Sequence, residues 1–171
     1  MNIELSQIIQ DGVFAAIASM GFAVISNPPK KAVSVSIVLA CIGHGFRFYL
    51  LHYTSLDLAT ATLFAAFTIG MLSIFFAKII HCPAEVFSFP SLLPMIPGMF
   101  AYKMILSLIK FLHTNDTLLQ QSLIVEIFKN GLTVVFVMFA LVIGVSVPLF
   151  VFHKQSFMMT RLINPIRKFK K

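Results

Sequence analysis

Five long apolar stretches separated by short polar breaks constrain this chain more than any other feature. They run near Leu5 to Ser26, Ala32 to Tyr53, Leu58 to Ile80, Val86 to Leu112 and Leu123 to Phe152. In helical form, about 20 apolar residues cover about 30 Å of hydrocarbon. Backbone inside a bilayer must satisfy its own N–H and C=O groups, which a helix does and an open strand does not. The chain therefore reads as an all-α polytopic membrane protein with five transmembrane helices. Residues 1–153 are expected to form one membrane domain and residues 154–171 a basic cytoplasmic tail. The composition agrees: 58% of the 171 residues are hydrophobic and 11% charged, and the mean hydropathy of +0.94 leaves no room for a soluble domain.

The net charge of +7 does not point to nucleic acid. The basic residues stand at the ends of apolar stretches and in the tail, where the positive-inside rule places them. With five spans, Lys30 and Lys31, Lys78, and the tail residues Lys154, Arg161, Arg167, Lys168, Lys170 and Lys171 share one side, which is then cytoplasmic. The N-terminus is then outside. The alternative, a re-entrant fourth stretch and four spans, separates Lys30 and Lys31 from the tail. No Lys or Arg precedes the first apolar stretch, so it is expected to stay rather than be cleaved as a signal peptide. Cys41 and Cys82 are isolated and read as packing residues; no metal site and no cofactor is expected.

The fourth stretch is not one regular helix. Pro90, Pro94, Pro97 and Gly98 fall within nine residues, and each proline lacks an N–H and clashes with the preceding turn. The helix is expected to break between Pro94 and Gly98. Irregular backbone at membrane depth is tolerated where protein or a water-filled cavity satisfies it, so the break is a candidate site, with a plain kink as the simpler reading.

Charged side chains inside the spans are costly unless paired, hydrated or neutralised. Asp11 lies about 9 Å below the outer end of span one, and Arg47 about 9 Å below that of span two, at about 1.5 Å per residue. The two are expected to interact, directly or through water. His44 and Gly98 both fall about 18 Å above the cytoplasmic end, and Lys103 near the level of Asp11 and Arg47. A fixed ion pair joining two helices, a core histidine between Gly43 and Gly45, and a snorkelling Lys103 are the structural alternatives. Span three, with Thr60, Thr62, Thr68, Gly70 and Ser73, reads as a packing helix. In span five, Asn130 is the pathway candidate. No Ser/His/Asp constellation, phosphate loop or close carboxylate pair supports an enzyme.

Several strings in order resemble the threonine/serine exporter (ThrE) family, in its smaller YjjB-type membrane subunit. They are Gly21-Phe22-Ala23 with Asn27-x-Pro29, Ile42-Gly43-His44-Gly45-x-Arg47, Pro83-x-x-Val86-Phe87, and Pro94-Met95-Ile96-Pro97-Gly98-x-x-Ala101-Tyr102. The resemblance implies one half of a heteromeric exporter in a bacterial inner membrane, working with a larger membrane subunit. It implies a small carboxylate substrate, either threonine and serine or succinate-type dicarboxylates, and coupling to protons. With such a substrate, the start of the second half of span four is the expected binding point. There Pro94 and Pro97 would leave free N–H groups at Gly98, Met99 and Phe100, at the positive end of a helix dipole. Arg47 and Lys103 would hold a second carboxylate or guide exit, and Asp11, His44 and Asn130 would serve proton coupling or line the pathway. The alternative is a non-transporting scaffold whose polar layer docks a partner.

Overall fold

The computed structural model describes residues 2–152, and the expected tail at 154–171 lies outside them. The helices are α1 (Asn2–Ile25), α2 (Lys30–Tyr53), α3 (Leu58–Ile80), α4 (Glu85–Leu92), α5 (Gly98–His113) and α6 (Thr117–Val151), with a 3₁₀ turn at Leu93–Met95. Among the described residues there is no strand. α1, α2, α3 and α6 are each long and apolar enough to cross a membrane, and α4 with α5 passes as a pair bent by 49°.

The helix ends follow local chemistry. Asp57 caps α3, its carboxylate accepting from the N–H groups of Ala59 and Thr60 and from the Thr60 hydroxyl at 2.6 Å. The hydroxyl bond, with help from the N–H groups, holds this carboxyl below its ordinary value. Asp116 caps α6 through the Leu118 N–H. Pro29 precedes the first residue of α2 after Asn27 turns left-handed at φ 48°, and His81 ends α3 at φ 59°.

Close packing rests on small residues. A methyl group at Gly144 of α6 would stand 2.7 Å from the Leu63 carbonyl oxygen and 2.8 Å from the Ala66 Cβ of α3, so only glycine lets these helices approach. α1 meets α2 where the Ser19 hydroxyl donates to the Ser36 carbonyl at 3.1 Å. α3 packs on α2, α4 and α6, the packing role its sequence suggests.

Contacts along α3 and α6 set a register that the apolar pattern does not show. Asp57–Thr60 share a cleft with Leu132, Thr133 and Phe136. Gly144 meets Leu63 and Ala66, Gly70 meets Val145 and Pro148, and Lys78 shares a cleft with Phe152. The two helices therefore run parallel, and α6 draws level with the start of α3 only near Leu132. α5 runs antiparallel to α6, with Met104 against Gly131 and Lys110, His113 and Thr114 facing Leu119, Ser122 and Glu126. The bent pair thus leaves the Ile80 end of the bundle and emerges past the Asp57 end, making one full traverse. Beyond that end α5 and the first half of α6 form a projecting hairpin. The chain ends are also ordered by this register: Lys30, Lys31, Lys78 and Phe152 all lie at the end opposite the hairpin.

Candidate functional site

The break is confined to Leu93–Pro97. Pro90 sits inside α4 and is buried, so it does not end the helix; Pro94 and Pro97 do. Past the 3₁₀ turn the backbone extends at Ile96, and Pro97, at φ −79° and ψ 61°, forms a tight three-residue turn in which the Gly98 N–H donates to the Ile96 carbonyl at 2.8 Å. The Phe100 N–H donates to the Pro97 carbonyl at 3.1 Å. Of the three N–H groups expected to be free, Gly98 and Phe100 are thus engaged, which leaves that of Met99 for a ligand.

The Met95 carbonyl is met by a side chain. Arg47 Nη1 donates to it at 3.1 Å, and Arg47 Nη2 lies 3.4 Å from His44 Nε2. His44 Nδ1 in turn lies 2.8 Å from Asp11 Oδ2, the one ion-pair contact among the described residues. A continuous polar chain therefore runs from α1 through α2 to the broken helix. The expected partnership of Asp11 with Arg47 is not direct: His44 stands between them. The physical reason is reach. His44 and Arg47 are three residues apart, on neighbouring positions of one helix face, and the imidazole is a two-ended group that joins both charges.

The tautomer follows from the partners. The carboxylate of Asp11 accepts a hydrogen bond from Nδ1–H, and the guanidinium, which only donates, faces the lone pair on Nε2. His44 is 7% exposed, Asp11 and Arg47 partly so. Met95 is held at its side chain as well: a methyl group on Gly43 would come within 2.9 Å of the Met95 Cε and would collide with Ile69. Gly43 thus admits the broken segment against α2. Gly98 is exposed, with nothing within 4 Å of a Cβ built there.

Two expected residues do not join this chain. Lys103 is exposed and unpaired among the described residues, and by the register it lies at the Asp57 end rather than level with Asp11. Asn130, buried at 7% exposure, donates from Nδ2 to the Glu126 carbonyl of its own helix at 2.9 Å, beyond the level where α3 begins. The depth count from sequence assumes that each stretch starts at the membrane surface, and α5 and α6 do not. The participant missing from the sequence reading is the Met95 carbonyl. Its signal is the proline pair around Met95-Ile96, which breaks the helix and so separates this carbonyl from the Met99 N–H that a continuing helix would give it.

The sequence model of the family described as Threonine/Serine exporter, ThrE, matches residues 11–151. An uncharacterized protein of Haemophilus influenzae is 31% identical over 158 residues, covering 91% of this chain and 51% of that protein. The chain thus spans about half the length of the curated relative it matches. No solved structure matches. The match takes in Asp11, His44, Arg47 and the whole break, and with the helical fold it shows that this chain belongs to the threonine/serine exporter family.

Proposed function

We propose that this chain is one membrane subunit of a secondary exporter of small carboxylates, with threonine and serine or succinate-type dicarboxylates as the substrate class and the proton as the coupled ion. The observation that carries the proposal is the chain from Asp11 through His44 and Arg47 to the Met95 carbonyl, a set of titratable groups ending on irregular backbone at membrane depth.

Arg47 stays cationic, and its bond to a neutral carbonyl is weaker than one to a carboxylate. A substrate carboxylate arriving at the break competes with the Met95 carbonyl for the guanidinium, and the unengaged Met99 N–H offers a second donor. His44 links this event to a proton. While Nε2 keeps its lone pair it accepts from Arg47. A proton on Nε2 removes that acceptor and sets two cations side by side, which drives the guanidinium towards an anion. Asp11 balances the resulting imidazolium. Imidazole suits this role because its two ring nitrogens can each hold a proton or present a lone pair.

A second, larger membrane subunit completes the unit in this reading. Half of the Haemophilus relative lies outside the match, which supports a further module beside this one. The C-terminal side is cytoplasmic, with the N-terminus and hairpin outside, because Lys30, Lys31 and Lys78 gather at one end of the bundle.

The test is efflux from cells, or uptake into inverted vesicles, expressing this chain with its chromosomal neighbour. Arg47→Gln is expected to lower efflux, normalised to the amount of the chain in the membrane, by about tenfold to a hundredfold, the worth of one charge-assisted hydrogen bond at about 1.5–3 kcal/mol. Unaltered efflux in that variant, or polar-chain cysteines sealed from water-soluble thiol reagents, would favour a docking scaffold instead.

A further inference from the structure

The bundle is packed unequally on the two sides of the polar chain. α1 and α2 run antiparallel, with Asp11 meeting His44 and Ser19 meeting Ser36, so α1 begins at the end where α2 finishes and Asp57 caps α3. From the polar chain towards the Lys30 end the helices are in close contact. A methyl group on Gly12 would stand 3.0 Å from the Cys41 Sγ and 3.2 Å from the Cys41 carbonyl oxygen, and one on Gly43 would enter Ile69 and Met95. Ala15, Ser19, Ala23 and Ser36, further along this seam, are all buried. α4 and the 3₁₀ turn cover α1 on this side, and α4 covers α2.

Towards the Asp57 end the packing loosens. A Cβ on Gly45 would find the Ile8 Cγ2 at 3.5 Å and the Ile8 carbonyl oxygen at 4.0 Å, which is ordinary contact. Without that Cβ the seam keeps room of about one methyl group, roughly the size of a water molecule. The cover ends here as well, because beyond the break α5 bends away by 49° and packs on α6.

Asp11 stands where the two kinds of packing meet. His44 bonds its Oδ2, while Oδ1 has no partner among the described residues and the side chain is 37% exposed. Hydrocarbon is a costly neighbour for that oxygen, so something polar must reach it. On the edge of α1 that carries Asp11, Gln7 lies one turn towards the helix start, and Phe14, Ala18 and Phe22 lie towards Ile25. The polar approach is therefore on the Asp57 side alone. Arg47, three residues beyond His44 in the same direction, is half-buried. The neighbouring helices bring no further charge: α4 carries only Glu85, exposed at its far end, and α3 only Lys78, at the Lys30 end.

We propose that the polar chain is entered from the Asp57 end. Water, and with it the proton of the transport reading, reaches Asp11 past Gln7 and the gap between Ile8 and Gly45, while the contacts of Gly12 with Cys41 and of Gly43 with Met95 shut the route to the Lys30 end. Passage to that end requires those two contacts to part, as alternating access demands. The inference rests on the transport reading for the proton, but the route itself does not depend on it.

The experiment uses the full chain with its chromosomal neighbour, in intact cells and in inverted vesicles without substrate, with Cys41 and Cys82 replaced by alanine. Single cysteines are probed with a charged, membrane-impermeant thiosulfonate. Asn115→Cys, between α5 and α6, marks the face at the Asp57 end and Ser26→Cys the face at the Lys30 end, so the outcome does not depend on which face is cytoplasmic. Gln7→Cys, Ile8→Cys and Asp11→Cys are expected to react in the preparation that labels Asn115→Cys and not in the one that labels Ser26→Cys. Phe14→Cys, Ser19→Cys and Ser36→Cys should react in neither. Gly45→Leu, which fills the gap, should abolish labelling of Ile8→Cys and leave Gln7→Cys labelled. Labelling of Asp11→Cys from the Ser26 face, alone or as well, overturns this inference and leaves the transport reading standing. Labelling from the Asn115 face with unaltered efflux in Arg47→Gln does the reverse. No labelling of Asp11→Cys in either preparation also overturns the inference.

Discussion

At the residue scale, the polar chain explains why a carboxylate, an imidazole and a guanidinium persist in a bundle that is otherwise apolar. Each is satisfied by the next, and the last is satisfied by a carbonyl that the break has freed. Removing one member leaves a buried partner without its bond, which costs more than removing both. Asp11→Asn and His44→Gln are therefore expected to couple: the double variant should lose less folded protein in membranes than the sum of the singles, by about 1–2 kcal/mol. Strict additivity in thermal stability of the purified variants would show that the 2.8 Å contact carries no energy. In the proton-coupled reading, His44→Gln should also flatten the dependence of efflux on pH. A profile as steep as that of the parent chain would place the coupling group elsewhere.

At the scale of the elements, the break is anchored on one side and open on the other. Met95 is clamped by Arg47 at its carbonyl and by the Gly43 and Ile69 surface at its side chain, while Ile96 is 43% exposed and Gly98 faces open space. Substituting the two glycines should therefore have opposite effects. Gly43→Ala forces Ile69 and Met95 to shift and is expected to cost about 1–3 kcal/mol, read as a lowered melting temperature in detergent. Gly98→Ala, at a first helical position with ordinary φ, is expected to be neutral or to stabilise by about 0.4–1 kcal/mol. Gly98→Val meets no wall in this chain. If it abolishes efflux in a normally folded protein, a substrate or a second subunit occupies the space in front of it; if efflux is unchanged, nothing does.

At the scale of the whole molecule, the parallel register of α3 and α6 is the decisive feature. It stretches the bent pair across the entire bundle, lifts Lys103 and Asn130 out of the polar layer, and pushes the α5–α6 hairpin beyond the other helices. A reporter fused after Lys171 is expected to act as cytoplasmic and a tag inserted at residues 114–116 to be reached from outside, because Lys30, Lys31 and Lys78 share the end where α6 finishes. Periplasmic activity of the C-terminal fusion would reverse the orientation assigned to the bundle.

Much of this was legible in the chain itself. Apolar length and the need to satisfy backbone hydrogen bonds in lipid determined an all-helical membrane protein, and paired prolines determined that the fourth stretch breaks between Pro94 and Gly98. Asp11, His44 and Arg47 stood out because ionisable groups inside apolar stretches demand partners. What sequence could not decide was how the helices slide along one another. Hydrophobic length does not specify register, since lipid-facing residues are interchangeable. Register is set by close backbone approach at Gly144 and Gly70, by Gly43 admitting Met95, and by the cap at Asp57. Only those contacts decided that His44, rather than Arg47, meets Asp11, that Arg47 closes on a backbone carbonyl, and that Lys103 stands apart from them.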